Sequence, residues 1–276
     1  MKILLTYENR IRHDSTGIYF QDAFSKIADV LHVYNEQLEY IDYRKFDLCV
    51  KIDDGLEQHR FPKEYHPSVY YAIDTHIHPD WRLKLAEESE FDYIFCAQKP
   101  GTELDWHTHN VHWLPLACDP NVHYCAHGRY KQYDVCFVGN VQPFWQKRRV
   151  ERLDRLFKSI PNYFFDNRFF REATEIYSAS KLVFNSAYSN DINMRVFEAM
   201  CSGSCLFTDH QQWEGMFVDC QHLLEYKSED EMIERAKYYT KYDDEREEIA
   251  RHGQMEVLSK HTYLHRAKEI LKIATG

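Results

Sequence analysis

The sequence predicts an α/β protein made of two doubly wound parallel-sheet domains that face one another across a cleft. Three observations lead there. Short apolar runs alternate with amphipathic stretches along all 276 residues, as in βα units. Several runs, such as Val135-Cys136-Phe137-Val138, are apolar throughout, as strands covered on both faces require. The pattern also starts twice: residues 2–7 lead into a loop with Gly17, and residues 133–138 lead into Gly139.

In the first half, strands are expected at residues 2–7, 29–34, 46–52, 68–73 and 91–97. Trp113-Leu114-Pro115-Leu116-Ala117 follows, a short run interrupted by proline. The second series comprises 133–138, 162–165, 181–185, 204–208 and 222–224. Between these strands, residues 144–157 carry Val150, Leu153, Leu156 and Phe157 on one helical face. Ser228-Glu229-Asp230-Glu231 reads as a capping box that opens a helix ending at Tyr239. Gly253 is expected to stop a helix beginning near Asp243, and a last helix from Tyr263 aligns Leu264, Ala267, Ile270 and Leu271. The hinge is expected at Cys118-Asp119-Pro120-Asn121-Val122, because Pro120 disfavours helix before it, which gives domains 1–118 and 119–276. Ligands of open parallel sheets sit beyond the carboxyl ends of the strands, so the site is expected in the cleft.

Apolar residues make up 44% and charged residues 28%, which excludes a disordered chain. The formal charge of -10 argues against a partner whose affinity comes from its own negative charge, nucleic acid or an acidic membrane. No apolar stretch approaches the roughly 18 residues of a membrane span, and Met1-Lys2-Ile3-Leu4-Leu5-Thr6-Tyr7-Glu8 turns polar too soon for a signal peptide. The 8 cysteines lie at irregular spacings with no Cys-x-x-Cys pair, which reads as reduced core cysteines in a cytoplasmic protein.

The sharpest local feature runs from Ser189 to Asp209: a loop, a short helix from about Asn193, a glycine stop and a strand. Asp191 or Asn193 can cap that helix, whose free N–H groups then attract an anion. Arg195, Glu198 and Ser202 share one stripe among the apolar Val196, Phe197, Ala199 and Met200, and a carboxylate lodged there requires partners. Two readings follow. Arg195 meets a phosphate while Glu198 accepts ribose hydroxyls, or the two form an ordinary helix pair contributing a few tenths of a kcal/mol.

A second feature is Gly139-Asn140, then Lys147-Arg148-Arg149 at the start of a helix, where the dipole disfavours cations. That run reads either as an anion site or as a solvated basic face. In Asp74-Thr75-His76-Ile77-His78, Asp74 and His76 are candidates for acid/base work or acceptor binding. Gly17 is expected beside them on the acceptor side, and Tyr188 as a sugar-stacking platform. No zinc signature is completed by His107, His109 and His112, and no phosphate loop, nucleophile elbow or dinucleotide fingerprint is present.

These motifs resemble the CgeB-like (spore-maturation type) glycosyltransferases, relatives of the family-1-like group. The stretches that carry the resemblance are residues 135–140, 180–185, 191–200, 244–250 and 261–267. Looser matches in the first half are residues 46–55, Asp74-Thr75-His76 and 113–117. The resemblance implies a GT-B architecture of two Rossmann-like domains, with a nucleotide-diphosphate sugar held by the second and the final helix packing back on the first. It implies Glu198 at the ribose, Arg195, Asn193 and Met194 at the diphosphate, Gly139 and Asn140 in the first loop, and no bound metal or other cofactor. An acid that relatives carry eight residues before the glutamate is Asn190 here, with Asp191 beside it.

The expected activity is therefore transfer of a sugar to a glycan, protein or small-molecule acceptor. Arg195, the helix N-terminus and Lys147 or Arg148 would stabilise the leaving diphosphate. Retention is the favoured outcome; inversion would make Asp74 or His76 the base. The alternatives are a nucleotide-sugar epimerase on the same fold and a catalytically silent sugar-nucleotide-binding module.

Overall fold

The computed structural model describes every residue except Arg12, His127, Tyr188 and Asn190. The chain divides into two compact units, Met1–Pro115 with Tyr263–Gly276, and Leu116–Thr262.

In the first unit the strands are β1 (Lys2–Thr6), β2 (Asp29–Val33), β3 (Leu48–Ile52), β4 (Ser68–Ala72), β5 (Tyr93–Cys96) and β6 (Val111–Trp113). Helix α1 (Thr16–Ser25) follows β1, and α2 (Pro79–Ser89) follows β4. The sheet order is β2-β1-β3-β4-β5-β6 and every pairing is parallel. Strands β3 and β4 are buried along their whole length, as mostly apolar runs between helices are, and the one charge among them, Lys51, lies 3.7 Å from Asp54. The expected run at 113–117 is not a strand: β6 ends at Trp113, two residues ahead of Pro115, which has no N–H for a ladder.

Gly17, expected on the acceptor side, is used for packing. It is buried in α1, and a Cβ there would overlap the ring of Tyr7. That ring stacks on His32 at 4.1 Å, and its hydroxyl donates to Gln21.

The second unit contains α3 (Pro120–His123), β7 (Tyr133–Val138), α4 (Lys147–Ser159), β8 (Tyr163–Asp166) and α5 (Phe170–Ser178). It continues with β9 (Ser180–Asn185), α6 (Met194–Cys201), β10 (Cys205–Asp209), β11 (Leu224–Tyr226), α7 (Glu229–Tyr239) and α8 (Asp243–Lys260). Its sheet, also parallel, has the order β11-β10-β9-β7-β8. Val135, Phe137, Leu182, Phe184 and Phe207 from the strands pack with Leu153, Leu156, Met232 and Ile249 from the helices. Ser228 caps α7 by accepting from Glu231 N, as the capping box predicts.

Two boundaries differ from expectation, at the start of the second unit and at the start of α4. Leu116–Cys118 belongs to the second unit, because Cys118 N donates to His261 O at 3.1 Å and bridges Thr262. The final helix α9 (Tyr263–Thr275) groups with the first unit. There Tyr263 stacks on Tyr19, and Arg266 Nε donates to Pro115 O at 2.6 Å. Helix α4 starts at Lys147, leaving Phe144 and Trp145 exposed ahead of it, because Gln142 and Gln146 close a turn on each other. Cys220 is exposed, whereas the other cysteines are buried. Among the described residues no helix is long and apolar enough to cross a membrane.

Gly253 does not stop α8. It lies inside the helix, where its missing Cβ admits the carbonyl of His222. This makes Gly253→Ala a test of packing against propensity. Alanine is favoured in a helix by about 1 kcal/mol, while overpacking against rigid backbone costs about 1–3 kcal/mol. The variant is expected to unfold at a lower temperature than the wild type, and an unchanged or raised midpoint would show that the backbone yields.

Candidate active site

In the second sheet, chain order reverses between β7 and β9: β8 lies on one side of β7, and β9 with its successors lies on the other. Loops on either side of such a reversal splay apart and leave a crevice at the carboxyl ends of the strands. Gly139 follows β7 there, Asn185 and Ser186 end β9, and α6 begins with its N-terminus beyond β9.

Arg195, in the first turn of α6, spans this edge. Its Nε and Nη2 donate to Val138 O at 3.1 and 2.8 Å, and its Nη1 donates to Asn185 Oδ1 at 2.8 Å. The guanidinium lies 4.5 Å from the centre of the Phe137 ring. Gly139 is glycine for two reasons: its φ is +146°, and a Cβ would stand 2.5 Å from Arg195 Nη2. The space above Gly139, which the sequence assigns to a ligand, is thus occupied by Arg195. Of the two readings of the polar stripe, the helix pair is not what forms: Arg195 turns to the strand ends and Glu198 turns to His123.

The cation beside Arg195 is Arg149. Lys147 pairs loosely with Glu151 at 3.9 Å on the exterior of α4, and Arg148 is exposed. Arg149 faces inward, its Nε and Nη2 donating to Ser186 O at 3.1 and 2.8 Å, 5.8 Å from the Phe137 ring centre. Burial, reinforced by the like charge of Arg195, pulls its ionisation down to about 10. Among the described residues, no carboxylate lies within ion-pairing distance of Arg149 or Arg195. Arg152, one turn on, differs: it donates to Ser186 Oγ and pairs with Asp209 at 2.8 Å. The sequence did carry a signal for Arg149 and Arg152, which precede the core residues Leu153 and Leu156 by one helical turn each.

Asn193 occupies the N-cap position of α6 without a side-chain cap bond. Its amide donates instead to Asn185 Oδ1 at 3.2 Å, and its own Oδ1 is buried without a partner, as is Asp191 Oδ1. Met194 opens the helix, and Asn140 is exposed at the end of the β7 loop. Tyr188 and Asn190, expected here, lie outside the described residues.

Glu198 is partly buried, with Oε1 3.4 Å from Nε2 of His123. His123 Nδ1 accepts from Asp119 N at 3.0 Å, so the neutral ring carries its proton on Nε2. Burial holds its pKa far down, at about 3. Neither His123 nor Asn185 was singled out from the sequence. A lone histidine closing a proline-opened turn has no periodic signal, and Asn185 looks like the end of an apolar strand.

In the first unit, Asp74 sits in the left-handed region at φ +56°. Its carbonyl accepts from Ile77 N and His78 N, forming a tight turn, and its own N–H donates to Gln98. Both ring nitrogens of His76 are buried without a partner among the described residues. The turn is braced by a pair the sequence reading passed over. Arg82 Nε donates to Asp53 Oδ2 at 2.5 Å, and Arg82 Nη1 to His78 O at 2.9 Å. Among the described residues no group of three or more His, Cys, Asp or Glu side chains is arranged to hold a metal ion.

His123 gives a stability signature. Its pKa falls from an ordinary 6.5 to about 3 on folding. Between those values the unfolded chain binds the extra proton, so this contribution is intact above pH 6.5 and is lost as pH falls toward 3. Urea midpoints across that range should fall less steeply with decreasing pH in His123→Gln than in the wild type. Parallel curves would show that the ring is protonated in the fold.

Residues 124–272 match the family of glycosyl transferase-like proteins. No curated protein matches the sequence. Among solved structures, an α-glucosyltransferase in complex with UDP and a 13-mer DNA containing an HMU base superposes with TM-score 0.74 at 12% identity, covering 100% of both chains. Anabaena Alr3699/HepE in complex with UDP and glucose gives 0.68 at 10% identity, covering 99% of this chain and 98% of that one. T4 phage BGT in complex with its UDP-glucose substrate gives 0.66 at 14% identity, covering 99% of each. The family match spans more than half of the chain and the fold agrees over its whole length: this chain belongs to the glycosyl transferase-like family and is a glycosyltransferase of GT-B fold.

Proposed function

We propose that the enzyme takes its sugar from a UDP-sugar, binds the diphosphate at Arg149 and Arg195, and transfers the sugar to a hydroxyl acceptor. The observation that carries this reading is the pair of inward-facing guanidinium groups over one aromatic ring, with no carboxylate in pairing distance. Two like charges brought together at partial burial are costly unless an anion joins them. A diphosphate supplies that anion and meets the N-terminus of α6 beside them. Glu198 accepts hydrogen bonds from the ribose, and Asp191 Oδ1 and Asn193 Oδ1 are further acceptors for the donor's hydroxyls.

In the reaction, the bond from the anomeric carbon to the diphosphate oxygen breaks, and the electron pair leaves on UDP. Fixed guanidinium groups stabilise the charge that develops there without having to reorganise. The acceptor oxygen bonds to the anomeric carbon as the new glycosidic bond forms, and its proton passes to the leaving diphosphate oxygen. Metal independence, retention of configuration and the CgeB-like affiliation belong to the same reading and rest on the sequence resemblance. The acceptor is a glycan, protein or small molecule, because the charge of -10 opposes nucleic acid.

Calorimetric binding of UDP and of uridine tests the donor site. Arg149→Gln is expected to weaken UDP by about tenfold or more, the worth of a charge-assisted hydrogen bond, and to leave uridine unchanged. Equal losses for both ligands would remove Arg149 from the diphosphate.

Incubation with UDP-glucose and an acceptor panel, with EDTA or magnesium, tests the rest. The panel includes a glycan, a glycerol derivative and DNA carrying hydroxymethyl bases. Product with EDTA and an unchanged anomeric configuration by NMR is expected. An inverted product moves attention to Asp74→Asn and His76→Ala, and an isomerised nucleotide sugar with no acceptor product rejects transfer.

A further inference from the structure

His123 is a neutral hydrogen-bonding group placed against a carboxylate. It comes from α3, an element remote in sequence from α6, and its ring is fixed from both sides. The backbone N–H of Asp119 donates to Nδ1 at 3.0 Å, which leaves the ring proton on Nε2, and Nε2 is 3.4 Å from Glu198 Oε1. The His123 side chain is 3% exposed and that of Glu198 is 15% exposed. Asp119 is set in turn by its carboxylate, which accepts from Asn121 N at 2.9 Å and caps α3.

We infer that His123 is a positioning residue for ribose recognition: through its Nε2 proton it fixes the orientation in which Glu198 meets the donor's ribose hydroxyls. This rests on the reading of Glu198 as the ribose acceptor. The chemistry favours a neutral partner here. A glutamate on a helix has several rotamers, and a ligand that must freeze them binds more weakly. A lysine or arginine would hold the carboxylate equally well, but it would cancel the charge that makes it a strong acceptor. A neutral imidazole supplies the geometry without itself cancelling the negative charge that the hydroxyls meet. Burial keeps the ring neutral at working pH.

The test uses the full chain with UDP and 2′,3′-dideoxy-UDP as probes, and reads the ratio of their dissociation constants by calorimetry. The wild type is expected to prefer UDP by roughly tenfold, as charge-assisted hydrogen bonds imply, and Glu198→Ala should abolish that preference. In His123→Gln the amide nitrogen takes the place of Nε2, so the preference should survive. In His123→Asn the side chain reaches only the Asp119 N–H, and the preference should vanish while dideoxy-UDP still binds normally.

Combining His123→Asn with Glu198→Ala should lower the ratio no further than either alone. If His123 only caps its own turn, the Asn variant keeps the preference, and that result overturns the inference. His123→Ala serves as the second loss variant should the Asn form fail to fold, and a preference retained in it overturns the inference equally. A wild type with no preference for UDP overturns the ribose reading of Glu198 itself.

Discussion

The side chain of Asn185 ends strand β9 fully buried, and at that depth each of its polar atoms needs a partner. Its Oδ1 accepts from both Arg195 and Asn193, its Nδ2 donates to Thr208, and its backbone carbonyl accepts from the Tyr226 hydroxyl. One amide thus ties the end of β9 to β10, β11 and the start of α6. Because Arg195 also bonds to Val138 O, the same network reaches β7 across the reversal point of the sheet. The crevice edges are held by hydrogen bonds that cannot slide without orphaning a buried group, which costs about 1–3 kcal/mol for each one left unmade. Rigidity of this kind is what an electrostatic site requires, since donors that must reorganise during reaction lose most of their value.

Charge distribution follows the same logic. The chain is acidic overall, yet at the reversal point of the second sheet no carboxylate among the described residues lies within ion-pairing distance of the inward-facing guanidinium groups of Arg149 and Arg195. Arg152 is paired with Asp209 just behind them. That pair clamps the loop after β9: Asp209 Oδ1 accepts from Ala187 N, and Arg152 donates to Ser186 Oγ. Its neighbour Arg149 holds Ser186 O and has no carboxylate within ion-pairing distance among the described residues; Asp191 and Asp209 act on it only from farther off. Two arginines one turn apart on α4 therefore have different duties, decided by whether an acid lies within reach.

Much of this was legible in the sequence, and the parts that were not share a cause. Parallel strands announce themselves by apolar runs, and the stripe of Arg195 and Glu198 stood out because polar residues interrupt a buried helix. The direction in which those side chains turn was not readable, since it depends on partners from β7, β9 and α3 that only the fold brings together. For α4 the sequence offered three consecutive cations and placed the helix start at residue 144, ahead of where it begins, at Lys147. Two turns of the apolar face, Leu153 and Leu156, select Arg149, but Lys147 and Arg148 are the more obvious basic residues. Gly253 misled for a physical reason: glycine marks a helix end by its backbone freedom, yet it serves equally where another chain must approach closely.

Asp53 and the partly buried Glu198 are partnered in opposite ways. Asp53 is bound by a cation, Arg82, and by the backbone N–H groups of Gly55 and Ile73, so its charge is neutralised and its lone pairs are occupied. Breaking such a pair leaves an unpaired buried charge, and its role is to hold the turn that carries Asp74. Glu198 faces a neutral imidazole instead. A neutral donor orients a carboxylate without cancelling its charge, which leaves it a strong acceptor. His123 thus orients Glu198 without a charge of its own, where Arg82 neutralises Asp53.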